Sequence, residues 1–259
     1  MKEFFGIGGH TRPVEGFLSW QHLLFSTVLV GIMIALAVFF GLRSKDKSPA
    51  QKNKVLIAAA ISIDAFELLK ILVVCYRSGS AEPILYNLPL FLCSIQLITI
   101  PLAAFSRGRV KEAAIDFICI FGVLGALLGT YAAGNIYGSN PVLSFDPIVS
   151  GITHTISGFT ALYCMISGMA GLKKENILIT VTVLTLFCIA AYITNHLIDY
   201  NYMFLMQGDG TPYDILYNLV GGSKILYPLG VMVLFYVYIS LFYGVCFLLH
   251  RKKKAPATV

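Results

Sequence analysis

The chain has 259 residues, of which 57% are hydrophobic and only 12% charged, and it carries a formal net charge of +6. A soluble domain carries about 25% charged residues, so this composition excludes one and describes an integral membrane protein. The positive charge does not point to nucleic acid, because no basic stripe interleaved with aromatic residues occurs.

A membrane span needs about 20 predominantly apolar residues. In chain order the candidates are Trp20–Leu42, Val55–Tyr76, Leu88–Phe105, Ala113–Ala133, Ile148–Gly171, Ile177–Ile198 and Ile225–Leu249. The first is too long for the apolar region of a signal peptide and lacks a basic region before it, so it reads as an uncleaved anchor. The third is short. Pro89 is tolerable in its first turn, and Pro101 should kink its last. No linker separates the spans, so the expectation is an all-α membrane protein, a seven-transmembrane-helix bundle forming one domain over 1–259.

Lys and Arg collect in alternate connections: Arg43, Lys45, Lys47, Lys52 and Lys54; Arg107, Arg109 and Lys111; Lys173 and Lys174; and Arg251, Lys252, Lys253 and Lys254 in the tail. The positive-inside rule then places the N-terminus outside and the C-terminus in the cytoplasm. Localisation is expected in a plasma membrane, here a bacterial cytoplasmic membrane. All six cysteines fall within or at the end of spans and no CxxC occurs, so neither a disulfide framework nor a zinc ribbon is signalled.

Polar residues in hydrocarbon are costly and tend to face an interior cavity. At 1.5 Å per residue, Cys93 lies about 8 Å and His154 about 9 Å below the outer surface. Gln96, one helical turn from Cys93, belongs to the same half of the membrane, as do Lys70, Asn195 and His196. These residues predict a polar pocket opening towards the outer leaflet. His22 reads as a headgroup contact in the first turn of its span. Asp64, Glu67 and Lys70 are spaced by three on one face of the second span, where Glu67 and Lys70 can pair.

A lone cysteine in hydrocarbon is inert, but a histidine at the same depth can take the thiol proton and hold the thiolate as an ion pair. Such a thiolate can attack an ester carbonyl, with Gln96 or Asn195 donating to the developing oxyanion. Equal depth is necessary for the dyad and does not establish that the two segments are neighbours.

"LPLFLCSIQ", the downstream His154 and "NYMFLMQGDGTPYDIL" at 201–216 resemble the YwaF-like bacterial integral membrane proteins, as do "FLSWQHLLF" and "ILYPL". The resemblance extends to an animal relative, a transmembrane ether-phospholipid acyltransferase, and more remotely to androgen-induced intramembrane hydrolases. It implies a seven-helix bundle in which Cys93 is the acyl-accepting cysteine and His154 its histidine. Asn201 and Tyr202 match the family's "NY" pair, for which a structural role is expected. The chain departs in having Phe91 where a polar residue, often His, is expected two before the cysteine.

Two classes of function follow. One is a membrane-embedded lipid acyltransferase or lipid esterase using Cys93 and His154. The alternative is a non-enzymatic seven-helix carrier, channel or sensor using the same polar pocket. Membrane lipids are the expected substrate or ligand, and the sequence is silent on oligomeric state. No metal and no cofactor is expected. A zinc-dependent intramembrane hydrolase lacks its histidine pair between Ile225 and Leu249, and a retinal protein lacks its lysine there. "GIGGH" at 6–10 is a lone glycine cluster and signals no nucleotide site.

Overall fold

A computed structural model describes residues 1–254 of the chain, with side chains through Leu248. The described residues are helical with no strand. The helices are α1 (Trp20–Ser44), α2 (Pro49–Ser78), α3 (Gln96–Phe105), α4 (Gly108–Tyr131), α5 (Gly134–Ser139), α6 (Phe145–Ile166), α7 (Ile177–Ile198), α8 (Tyr213–Leu219) and α9 (Leu226–Lys254). Among the described residues, four stretches are long and apolar enough to cross a membrane: Trp20–Ser44, Gly108–Ser139, Lys174–Ile198 and Leu226–Leu248. Helix α2 is interrupted by Asp64, Glu67 and Lys70, α6 is diluted by His154 and its Thr, Ser and Gly neighbours, and α3 has only 10 residues. The basic tail Arg251–Lys254 lies outside the described side chains.

The chain divides into two compact units, Met1–Ala170 and Gly171–Val259. In the first, α6 packs against α1, α2 and α4, and α3 packs against α2 and α4. Small residues permit the closest approaches. A Cβ on Gly122 of α4 would lie 2.8 Å from the Ala161 Cβ of α6, and one on Gly158 of α6 would lie 2.7 Å from the Ala126 Cβ of α4. Helices in lipid associate through such backbone proximity, because the bilayer supplies no hydrophobic drive between them. At the other end of α3, Asn53 of α2 donates to the Ala104 carbonyl at 2.8 Å and Lys111 of α4 to the Ala103 carbonyl at 2.7 Å. These side chains satisfy carbonyls that the helix end leaves open.

The third span differs from expectation. Residues 88–95 are turns, and helix begins only at Gln96. The Ser94 hydroxyl accepts from the Phe91 N–H at 2.9 Å and donates to the Phe91 carbonyl at 3.1 Å. Serine here gives the backbone an alternative to helix. Cys93 is therefore a turn residue preceding α3, and Pro89 lies in the turn segment and not in a first helical turn.

In the second unit α7 packs against α9, with Thr180 Oγ1 and the Tyr243 hydroxyl 3.2 Å apart and Thr185 Oγ1 and the Tyr236 hydroxyl 2.6 Å apart. The connection after α7 leaves through Asp199 in a left-handed conformation (φ 51°).

The N-terminal segment is tied to the end of the first unit where α2 finishes and α6 begins. Arg77 makes a bidentate pair with Asp146 at 2.8 and 2.9 Å and donates to the Phe5 carbonyl. The Phe145 N–H donates to the Phe4 carbonyl. Glu3 closes the segment on itself, accepting from the Arg12 and Thr11 N–H groups and the Thr11 hydroxyl. Those donors, the Arg12 N–H foremost, hold the Glu3 carboxyl down at about 2, against 4.5 for a free side chain. A carboxylate with a depressed pKa contributes order that is complete above its free value and is lost as pH falls through its folded value. Protection of the Thr11 and Arg12 amides from hydrogen exchange, relative to an unstructured peptide at the same pH, should thus hold down to about pH 4.5 and be lost as pH falls towards 2. Glu3→Gln should show weak protection at every pH, and protection equal to the parent's in that variant would disprove the clasp.

Candidate active site

Cys93 and His154 come from separate segments and meet over one face of α4. A Cβ on Gly125 would lie 3.3 Å from the Cys93 Cβ, and a Cβ on Gly129 would fall on the His154 ring at Cδ2 and Nε2. Residues four apart share a helix face, so α4 offers adjacent bare positions, one beneath each side chain. The thiol and the imidazole are close enough to interact directly.

The second ring nitrogen sets the proton inventory. His154 Nδ1 lies 2.7 Å from the Ser150 carbonyl, one turn back on α6. A carbonyl has no proton to give, so Nδ1 carries the hydrogen, and neutral His154 presents Nε2 as an acceptor. The Ser150 hydroxyl stands 3.4 Å from the same Nδ1. Cys93 and His154 are both half-buried. Cys93 also precedes the N-terminus of α3, the end of a helix that carries partial positive charge.

The other expected residues divide. Lys70 is close enough to act electrostatically on both Cys93 and His154, and it pairs with Glu67 at 2.5 Å. Asp64 lies on the exposed side of α2, so it does not share the Lys70 face; two steps of three residues turn a helix by roughly 120° out of register. Gln96 is fully buried. Its Oε1 accepts from the Thr99 hydroxyl at 2.9 Å, while its Nε2 has no partner. Asn195 belongs to the second unit, where its Nδ2 donates to the Tyr202 carbonyl at 3.0 Å and its Oδ1 accepts from the Tyr202 N–H at 2.6 Å. That amide closes the connection after α7. Asn201 supports the same connection, accepting from the Met206 N–H and donating to the Gln207 carbonyl. His196 is exposed with its ring edge-to-face against Tyr192.

One expectation is corrected. His22 is fully buried, accepting from the Leu18 N–H at Nδ1 and donating from Nε2 to the Thr130 carbonyl at 2.8 Å, with Tyr137 stacked on its ring. It is a structural histidine and not a headgroup contact. A cavity of about 340 Å³ is lined by residues from the end of α1, the start of α2 and the connection between them, away from the expected site residues.

Gly125, Gly129 and Ser150 were not singled out from sequence. The glycines have a signal, since Gly122, Gly125 and Gly129 recur at helical spacing within "GVLGALLGT". Ser150 has none, because any residue supplies a carbonyl.

These helices define a multi-pass membrane protein with a cysteine–histidine contact between its helical segments. Residues 17–249 match the TMEM164 family, and the chain belongs to that family. Neither a curated protein nor a solved structure matches the chain significantly.

The arrangement makes a steric prediction. Gly129→Ala places a methyl group where the imidazole lies, so it should slow alkylation of Cys93 by iodoacetamide by roughly tenfold or more, with neither reactive residue removed. Gly31→Ala has open space around the new methyl and should leave the rate unchanged. Mass spectrometry of the Cys93 peptide reads both, and an unchanged rate in Gly129→Ala would show that the contact does not govern the thiol.

Proposed function

We propose that the protein is a membrane-embedded lipid acyltransferase or lipid esterase with Cys93 as nucleophile and His154 as its base. The observation that carries this reading is the convergence of Cys93 and His154 over Gly125 and Gly129 of α4, with Nδ1 held on the Ser150 carbonyl and Nε2 left to accept a proton. The resemblance to the ether-phospholipid acyltransferase supports the same assignment.

The thiol proton passes to Nε2 as sulfur attacks the ester carbonyl of a lipid, forming the C–S bond. Lys70 supplies positive charge beside the sulfur, and the unpartnered Nε2 of Gln96 is the candidate donor to the oxyanion. An unsatisfied buried donor costs about 1–3 kcal/mol, a cost that a bound oxyanion would relieve. Collapse breaks the ester C–O bond, and the imidazolium returns its proton to the leaving oxygen. The thioester then reacts with an acceptor hydroxyl or water, which gives its proton to Nε2 as the C–S bond breaks; the proton returns to the thiolate.

The nucleophile is tested by labelling purified protein with an electrophilic lipid-ester analogue while its melting temperature is followed. Cys93→Ser should keep the parent melting temperature and lose labelling by at least about 100-fold. Cys164→Ser, at a fully buried position on α6, should keep labelling. Labelling absent from the parent, or unchanged in Cys93→Ser, would favour the carrier, channel or sensor reading.

The same reading takes α1, α2, the 88–105 segment, α4, α6, α7 and α9 as seven spans of a bacterial cytoplasmic membrane, N-terminus outside and C-terminus inside, with lipid entering from the outer leaflet. A cysteine introduced in the 43–54 connection should be shielded from an impermeant maleimide in intact cells, and one at Gly210 should label. The reverse pattern would overturn the orientation.

A further inference from the structure

The cavity at the α1–α2 connection has a mixed lining. Phe39, Phe40 and Val55 supply apolar surface, and Arg43, Lys47 and Lys54 supply three cations, with no acidic residue in the lining. Arg43 is held over the Phe39 ring, 5.9 Å from its centroid, where the aromatic face steadies the guanidinium. None of the three cations makes an ion pair among the described residues. The N-terminus of α2, capped by Ser48, opens beside them and adds partial positive charge.

We propose that this cavity binds the phosphate headgroup of an anionic phospholipid, with the acyl chains lying along Phe39, Phe40 and Val55. A site for a soluble anion needs cations and no hydrocarbon floor. This lining combines exposed aromatic and aliphatic side chains with three cations around one 340 Å³ space, which matches an amphiphile. Phe39 is 55% exposed and Phe40 38% exposed, so the apolar part is open to lipid. Basic pockets between helices at a membrane surface recognise anionic headgroups in this manner. The site is separate from Cys93 and His154 and stands or falls independently of the proposed chemistry.

The test is the thermal stability of the purified full chain in detergent, titrated with phosphatidylglycerol, phosphatidylcholine or inorganic phosphate. Phosphatidylglycerol should raise the melting temperature, the rise should shrink with added salt, and the other two should give little. Arg43→Gln and Lys54→Gln should each weaken the half-saturating phosphatidylglycerol concentration by roughly fivefold, the factor equivalent to about 1 kcal/mol per cation. Lys45→Gln, adjacent in sequence but outside the lining, should titrate as the parent does. Each variant's melting temperature without lipid reports its folding, and Arg43→Lys keeps the charge as a second variant should Arg43→Gln fail to fold. Equal stabilisation by phosphatidylcholine, or unaltered titration in both neutralised variants, would overturn the site. Protection by inorganic phosphate matching that by phosphatidylglycerol would assign the cations to a soluble anion and overturn the lipid reading.

Discussion

The candidate site depends on how closely α6 and the turn before α3 approach the backbone of α4. An imidazole is flat and rigid, and any side chain beneath it would hold it off the helix. Gly129 removes that obstacle beneath His154, and Gly125 leaves room beneath Cys93. The same helix carries Gly122, where Ala161 of α6 is closest. One glycine-bearing face therefore fixes the packing of α6 and brings a turn residue to a helical histidine. Interiors packed at crystal-like density transmit changes of a single methyl group, so the contact is a property of the helix pair as much as of its two reactive residues.

Two histidines in this unit illustrate how hydrogen bonding separates structural from reactive roles. His22 uses both ring nitrogens on backbone groups, lies wholly inside the protein and is covered by Tyr137. Nothing remains on it to exchange a proton. His154 spends only Nδ1 on the backbone and keeps Nε2 for a thiol, at a half-buried position. Residue type is the same, and the difference lies in burial and in which partners each fold position supplies.

The long helices were legible because runs of about 20 apolar residues have few alternatives in lipid. Helices α1, α2, α4, α6, α7 and α9 each overlap an expected span, with α6 ending at Ile166 where the expectation ran to Gly171. The third was misread because hydropathy does not distinguish a turn from a helix: residues 88–95 are as apolar as the helix that follows, and the local signal was the Ser94 hydroxyl. Cys93, His154 and Lys70 could be picked out as polar groups at one depth. Their adjacency could not, since it follows from α4 glycines distant in sequence from Cys93. His22 was misread for a related reason, its partner being a carbonyl on α4, 108 residues away.

Helix α2 shows how the fold accommodates charge within a long helix. Its Glu67 and Lys70 neutralise one another within a helical turn, and both are mostly buried, with 13% and 21% of their side chains exposed. A lone ammonium there would bear a large desolvation cost, whereas a pair spreads it. Lys70 still acts on Cys93 and His154, so its partner leaves a directional field rather than none. The least apolar of the long helices packs against α3 and α6, and its ion pair lets that helix keep a lysine within electrostatic reach of the cysteine and histidine at a lower cost than an unpaired ammonium would bear.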